Sequence, residues 1–572
     1  MGGKNCKSYS IKDRRHKNEA NISSKQEKME EVIVEGVVCK VEDINENEMK
    51  LLPIGDQGQK ILLIKQNGEL HAIGTKCTHY GALLHTGALG EGRVRCPWHG
   101  ACFNIKTGDI EDFPGLDSLP CYKVSVDNGQ VKVQAKQKDL AANKKIKEFV
   151  TCQIDNSKVA VVVGGGPAGA TCVDNLRQEG FTGRIVLICK EPVLPYDRVK
   201  VSKIMDFDIE KSLLRPQFFY DERKIETKLN VEATELIPSK KIIKLSNGEN
   251  LKYDHVFLAT GSKARTLSIP GSNLQNIFVS RNYDDAQTTF KKLSKDKNVV
   301  ILGLSFIGME VAAYCVGKVK SVTIVGNDSV PLKPVFGLEI GERAKQGHEA
   351  KGVQFIFNQT IAKLLSSDEK QVSHVELTDG TVLPADIVVL GIGAIFYTDW
   401  LKSSGIEMLE NGAIVVDKYL KTNIDNVYAG GDIAYAPVFS SNNESKTIGH
   451  FALAQYHGQI AASNICGKNT ELRTVPFFWS ALLGNNYRYA GSGQAEKIKI
   501  YGSLESFKFF AYHINNGKVV AMSSVGTDPI VSDFANYLYE GKTLTEKEIE
   551  HNPIGWMKNK PLAVLKIISK NE

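Results

Sequence analysis

The chain has no apolar run of the roughly 18 residues that a membrane-spanning helix needs, so no helical bilayer crossing is expected among its 572 residues. It has no Lys/Arg cluster interleaved with aromatics, and its net charge of +6 is small for its length, which argues against nucleic acid as a partner. Eleven cysteines occur, from Cys6 to Cys466, but without the paired spacings of a disulfide framework. A secreted disulfide scaffold is therefore excluded, and a reducing, intracellular compartment is expected, the cytoplasm first.

What is present is enough chain for several cores, because a single core stops growing near ~250–300 residues. Residues 1–30 are polar and basic, with Lys7, Lys12, Arg14, Arg15 and Lys17 following Met1-Gly2-Gly3-Lys4-Asn5-Cys6. Two readings stand: a disordered basic tail, or an anchor to a membrane surface through myristoylated Gly2 and palmitoylated Cys6. A mitochondrial presequence is a third, although Asp13 and the lack of an apolar face speak against it. Residues 31–137 alternate as short strands, with hairpin signals at Asn67-Gly68 and Asn128-Gly129, and read as an all-β domain. Residues 138–157 are polar and Lys-rich, the kind of segment that links domains; at ~3.3 Å per residue it could span tens of ångströms, and tethering would give the cluster a near-millimolar effective concentration.

Inside the all-β domain, Cys77-Thr-His79 and Cys96-Pro-Trp-His99 form two Cys-His pairs sixteen residues apart. Four such donors suit a tetrahedral zinc ion. They equally suit a 2Fe-2S centre of the Rieske kind, with two thiolates on one iron and two imidazoles on the other. The short spacings within each pair, and Gly81 and Gly100 beside them, favour the cluster. The segment resembles the Rieske domains. Respiratory members carry an extra cysteine in each ligand loop, where this chain has Ala82 and Trp98, and a Ser and a Tyr that donate to sulfur, where it has Ala101 and Phe103. The resemblance thus implies an unclamped cluster at the low end of the Rieske range, roughly −150 mV.

Downstream, the apolar run Val159-Ala-Val-Val-Val163 leads into Gly164-Gly-Gly166-Pro-Ala-Gly169 and a helix, the strand, loop and helix of a dinucleotide fold. The next strand should end in an acid for the adenosine ribose. Lys190 stands there, and Glu191 follows. A second unit runs from Asn298 into Gly303-Leu-Ser305-Phe-Ile-Gly308-Met-Glu310, with Ser305 in place of the middle glycine. Its second strand ends in Gly326-Asn327, so no carboxylate or arginine decides between NADH and NADPH; NADH is slightly favoured.

The order of these parts resembles the pyridine-nucleotide flavoprotein reductases, in which the first glycine loop holds FAD and the second NAD(P)H. Three segments carry the resemblance: Ala259-Thr-Gly261 at the crossing between nucleotide domains, Thr422 through Val427-Tyr-Ala-Gly-Gly431-Asp432, and Leu194-Pro-Tyr-Asp-Arg198 through Ser202-Lys203. It implies that Asp432 binds the ribityl chain, that Arg198 and Lys203 lie against the flavin, that Glu310 seats the nicotinamide and that Trp479 lies near the flavin edge. Disulfide reductases of this superfamily carry a redox dithiol after the first motif, whereas only Cys172 occurs here. The chain is therefore similar to the branch of oxygenase-coupled ferredoxin reductases and apoptosis-inducing factors, and the fused Rieske domain narrows it to their Rieske-containing members.

The expected architecture is multidomain: a Rieske domain at 31–137, two α/β Rossmann-like nucleotide-binding domains within 158–474, with the NAD(P) insert at about 282–400, and an α+β C-terminal reductase domain at 475–572. The expected function is transfer of electrons from NADH or NADPH through FAD to the 2Fe-2S cluster and on to an unidentified acceptor. A redox-sensing or pro-apoptotic signalling role is the alternative that the resemblance brings, and a homodimer a further expectation. Gly449-His450-Phe451 departs from the Glu and aromatic pair usual before the flavin-contacting helix, and Val199 and Val201 replace prolines. These departures imply a shifted flavin environment.

Overall fold

The computed structural model describes residues 32–558, 560, 561, 564 and 565, so the expected anchor residues Gly2 and Cys6 lie outside the described residues. Asn67-Gly68 and Asn128-Gly129 each place two successive residues at positive φ, the tight turn whose twist matches paired strands. They close hairpins between Gln59–Gln66 and Glu69–Ile73, and between Cys121–Asp127 and Gln130–Lys136. With Ile33–Lys40 and Glu48–Ile54 these strands form a six-stranded antiparallel sheet. A smaller antiparallel sheet, Ala88–Gly90, Arg93–Arg95, Cys102–Asn104 and Ile110–Asp112, packs beside it and frames the second Cys-His loop. Among the described residues every cysteine is free.

The linker segment at 138–157 is held against both of the domains it joins. Gln137–Ala142 is helical, Ser118 and Lys145 exchange two backbone hydrogen bonds, and the Asn143 side chain accepts from the backbone N–H of Thr75 and Lys76. Farther along, Val150 donates to the Arg177 carbonyl and Gln153 to that of Thr182. Its lysines, which suggested a solvated coil, pair instead with carboxylates of the β domain, Lys144 with Asp117 and Lys145 and Lys147 with Asp109. The polarity belongs to the outer face of an ordered strap fastened to both domains.

Val159–Val163, apolar throughout, is the central strand of a five-stranded parallel sheet ordered Ile225–Leu229, Arg184–Cys189, Val159–Val163, His255–Leu258, Val427–Ala429. A second parallel sheet, ordered Ile277–Val279, Ile387–Leu390, Asn298–Leu302, Ser321–Gly326, Val353–Phe357, forms the inserted unit, whose edge strand starts upstream of residue 282. The antiparallel ribbon of Ser262–Ala264 with Ala394–Phe396 carries the chain out of the first unit and back. The C-terminal region is a five-stranded antiparallel sheet, from Phe477–Leu482 to Lys518–Val525, covered by helix Ile530–Tyr539. Among the described residues no helix is long and apolar enough to cross a membrane.

Helix Ile530–Tyr539 also closes the molecule on itself, because it packs against the first domain as well as its own sheet. Asn536 accepts from the buried Arg95 guanidinium at 2.8 Å, and Ser532 donates to the Cys96 carbonyl at 3.0 Å. On the same helix, burial pushes the Asp533 carboxyl up to about 8. Its folded value lies above the ordinary 3.8, so the native state holds a proton that the unfolded chain releases. The stability this contributes is complete below pH 4 and is lost as pH rises through about 8. Asp533→Asn is therefore expected to stabilise at pH 8, by on the order of 1–3 kcal/mol, and to be nearly neutral at pH 4. Thermal unfolding of both proteins across that window checks it; a difference independent of pH would count against the assignment.

Candidate redox site

The two Cys-His loops are near copies of each other. In each, the amide after the loop donates back to the cysteine carbonyl, Gly81 to Cys77 at 2.9 Å and Gly100 to Cys96 at 3.3 Å. In each, the cysteine amide donates across the loop at 2.8 Å, to Ala82 and to Ala101. The folds bring the Cys77 and Cys96 sulfurs together, and set the His79 and His99 Nδ1 atoms 3.0 Å apart. Contact with the Cys96 sulfur, and then burial, push the Cys77 thiol well above its ordinary range. Burial holds the His79 imidazole down at about 4 and that of His99 at about 2, so both rings are neutral and carry a lone pair for a metal. Among the described residues no three His, Cys, Asp or Glu side chains converge on one ion position. A thiol pair and an imidazole pair are the donors a binuclear centre takes, two thiolates on one iron and two imidazoles on the other.

Ala101 and Phe103, both fully buried in the core around Cys77 and Cys96, offer no side-chain donor to sulfur. Ala101→Ser with Phe103→Tyr is expected to raise the cluster midpoint by on the order of 100 mV within the Rieske range. A redox titration followed by EPR checks this, and an unchanged midpoint would remove the argument.

The glycine loops also repeat each other. Gly164 and Gly303 have φ of 129° and 127°, which admit no side chain without strain. A Cβ on Gly169 would meet the Gly164 carbonyl at 1.9 Å, and one on Gly308 the Gly303 carbonyl at 2.0 Å. Ser305 is accommodated because its hydroxyl donates to the Gly391 carbonyl at 3.1 Å. Gly166 has open space before it, as an approaching pyrophosphate requires.

Both units face one cavity of about 840 Å³. Gly164, Gly166, Glu191, Arg198, Lys203, Ala259, Gly261, Ser305, Glu310, Asp432 and Trp479 all line it, whereas Gly169, Gly303 and Gly308 lie behind its wall as packing positions. The buried Glu310 carboxylate accepts from the Lys203 ammonium at 2.5 Å, from Ser480 at 2.6 Å and from Ser202. Glu191 accepts from Arg198 and, at 2.8 Å, from Tyr196. Asp432 accepts from Ser262 at 2.8 Å and from Arg281 at 2.7 Å. Arg281, unmarked by any motif, was not anticipated; nor was the junction of Lys190, Glu232 and Tyr397 at another part of the wall. His450 also lines the cavity, edge-on to Phe478, and burial keeps it near 4, consistent with packing.

His79 and Pro114 of the β domain line the same cavity. The His99 ring lies over Trp479, centroids 3.8 Å apart and 32° from parallel, and the Lys203 ammonium sits 5.3 Å from the Trp479 ring. On the other side Tyr80 stacks on His79 at 3.8 Å and donates to Asp197, which lies in the Leu194 to Lys203 segment. His79 thus borders the cavity that the two nucleotide folds share, and His99 meets its wall through Trp479.

Two nucleotide folds around one cavity, with His79 of the first Cys-His loop in its wall, define an NAD(P)H-dependent flavoprotein oxidoreductase with a fused iron–sulfur domain. The chain belongs to the pyridine nucleotide-disulphide oxidoreductase family, whose model matches residues 158–458, and a Rieske [2Fe-2S] domain matches residues 35–123. It is 39% identical over 523 residues to apoptosis-inducing factor 3 of Mus musculus, covering 90% of this chain and 86% of that protein. It is 34% identical over 339 residues to rubredoxin-NAD(+) reductase of Pseudomonas putida, covering 58% of this chain and 86% of that one. A solved ferredoxin reductase for the CYP199A2 system from Rhodopseudomonas palustris is 26% identical, with a TM-score of 0.65 over 68% of this chain and 97% of that one. The covalent putidaredoxin reductase–putidaredoxin complex shares the fold, at 24% identity and a TM-score of 0.67 over 73% of this chain and 99% of that chain. FAD, NAD(P)H and a 2Fe-2S cluster are the cofactors of the chain.

Proposed function

We propose that the protein carries electrons from NAD(P)H to its own Rieske cluster and from there to a separate one-electron acceptor of the ferredoxin type. When bound, FAD takes a hydride from NAD(P)H and gives electrons up singly, which a 2Fe-2S cluster can accept. The observation that carries the reading is His79: a cluster ligand of the β domain forms part of the wall of the nucleotide cavity.

The chain's own residues supply binding and orientation. The helix after Gly164-Gly-Gly166 presents its N-terminus to a pyrophosphate. Arg281 and Ser262 hold the Asp432 carboxylate in place for a ribityl chain. Lys203, fixed by Glu310, places one positive charge beside Trp479, where negative charge on a reduced ring system would be stabilised. The fused domain replaces a diffusional encounter with a fixed contact.

The test is addition of NADH and, separately, NADPH to the purified holoprotein without oxygen, with flavin absorbance and low-temperature EPR recorded together. Bleaching followed by a Rieske-type signal is the expected result and identifies the preferred nucleotide. Bleaching with a silent cluster would sink the relay and favour a sensing role.

A further inference from the structure

The contacts between the cluster domain and the nucleotide domain are not evenly spread; one buried chain of charges joins them. Arg215, only 8% exposed, belongs to the first nucleotide unit. One of its guanidinium nitrogens lies 2.7 Å from Asp117 of the β domain, and another lies 3.1 Å from Asp174 and donates to the Leu116 carbonyl at 3.3 Å. Asp174 is buried on helix Pro167–Gln178, the helix that opens at the first glycine loop, and is further held by Gln178 at 2.9 Å. Asp117 reaches the cluster from the other end: its carbonyl accepts from the Thr78 hydroxyl at 2.7 Å, and Thr78 sits between the ligands Cys77 and His79. The same short loop supplies Pro114 to the cavity wall, and its Gly115 carbonyl accepts from Gln455 at 3.2 Å.

We propose that Arg215 is a positioning residue for the step from flavin to cluster. Through Asp117 and Thr78 it registers the His79 side of the cluster against the helix that holds the flavin pyrophosphate. The inference rests on the relay reading above. A planar guanidinium meets two carboxylates at once and fixes their relative position, which a lysine ammonium cannot do. Electron transfer needs the donor and acceptor edges held in register, and a displacement of about 1 Å at a reacting centre can cost up to about 10²-fold. The cluster ligands and the hydride-accepting end of the cavity are untouched by Arg215, so its loss separates the two half-reactions.

Three holoprotein variants test it: Arg215→Ala, Arg215→Lys and Asp117→Asn, beside wild type, in single-turnover mixing with NADH without oxygen. Arg215→Ala is expected to slow cluster reduction at least about ten-fold while flavin bleaching stays within about two-fold, with Arg215→Lys intermediate. The EPR line shape and midpoint potential of the cluster should not move. In air, the stalled flavin should pass its electron pair to oxygen, NADH + H⁺ + O₂ → NAD⁺ + H₂O₂, so peroxide formed per NADH should rise. Hydrogen exchange of the Ser118 and Leu119 amides, which follow Asp117 and donate to the Lys145 and Gly108 carbonyls, should quicken in Arg215→Ala with no NADH present. Unchanged cluster reduction in both Arg215→Ala and Asp117→Asn would overturn the proposal. So would parallel loss of bleaching and cluster reduction in all three variants, or unaltered exchange at Ser118 and Leu119. A wild type that bleaches without reducing its cluster would instead fail the relay itself.

Discussion

His79→Ala is expected to leave bleaching of the flavin by NADH within about two-fold of wild type and to lower electron delivery beyond it by at least about 10²-fold. The separation follows from where His79 stands. Its Nδ1 faces that of His99, so alanine leaves the second iron with one imidazole, and it removes the ring on which Tyr80 stacks. Lys203, Glu310 and the glycine loops keep all their contacts, because none of them touches His79 through a hydrogen bond. The measurement is stopped-flow absorbance with freeze-quenched EPR, and FAD content with thermal unfolding confirms an intact reductase. Full cluster reduction in this variant would contradict the assignment of the ligands.

Lys203→Met carries the second large effect, this time on the hydride half-reaction. Glu310 is 5% exposed, and its principal charge partner is the Lys203 ammonium. Removal of one partner of a buried ion pair leaves a desolvated charge and costs about 3–5 kcal/mol. The rate of flavin reduction is expected to fall by roughly 10²-fold, the scale of losing one oriented charge at a developing anion. Lys203→Met with Glu310→Met separates the two losses: the double variant should recover stability, because an apolar pair of similar volume is often neutral, yet remain slow. Thermal unfolding and pre-steady-state reduction report the two quantities independently. A double variant that recovers rate together with stability would assign Lys203 a packing role alone.

The parts of this molecule that the chain announces are those whose meaning is local. Two short Cys-His loops, and two glycine loops each between a strand and a helix, can be read from consecutive residues because turn and helix geometry fix them within a few positions. Paired Asn-Gly turns announced two hairpins for the same reason. The linker at 138–157 is legible as a polar, Lys-rich segment between two domains, but composition does not distinguish a solvated coil from the solvated face of a segment held by scattered backbone hydrogen bonds at Lys145, Val150 and Gln153. Arg281 was invisible because its partner, Asp432, lies 151 positions away and neither flanking sequence marks the pair. The same holds for Ser480 on Glu310, a contact across 170 positions, and for Tyr80 on Asp197, across 117. Motifs announced the parts, and long-range polar contacts decide how the cluster meets the cavity.

The contacts of helix Ile530–Tyr539 with the second ligand loop impose an order on biosynthesis. Arg95 meets Asn536 across 441 positions, and the Cys96 carbonyl meets Ser532 across 436. At ~5–20 residues per second, the helix leaves the ribosome roughly 20–90 s after the loop it covers. For that interval the Arg95 guanidinium and the Cys96 carbonyl lack these two partners, while the hydrogen bonds within the loop, Cys96 to Ala101 and Gly100 to Cys96, are local. The surroundings of the second Cys-His loop are therefore complete only once helix Ile530–Tyr539 has docked, so a change that unseats this helix from its own sheet is felt at Arg95 and Cys96, more than 430 positions away.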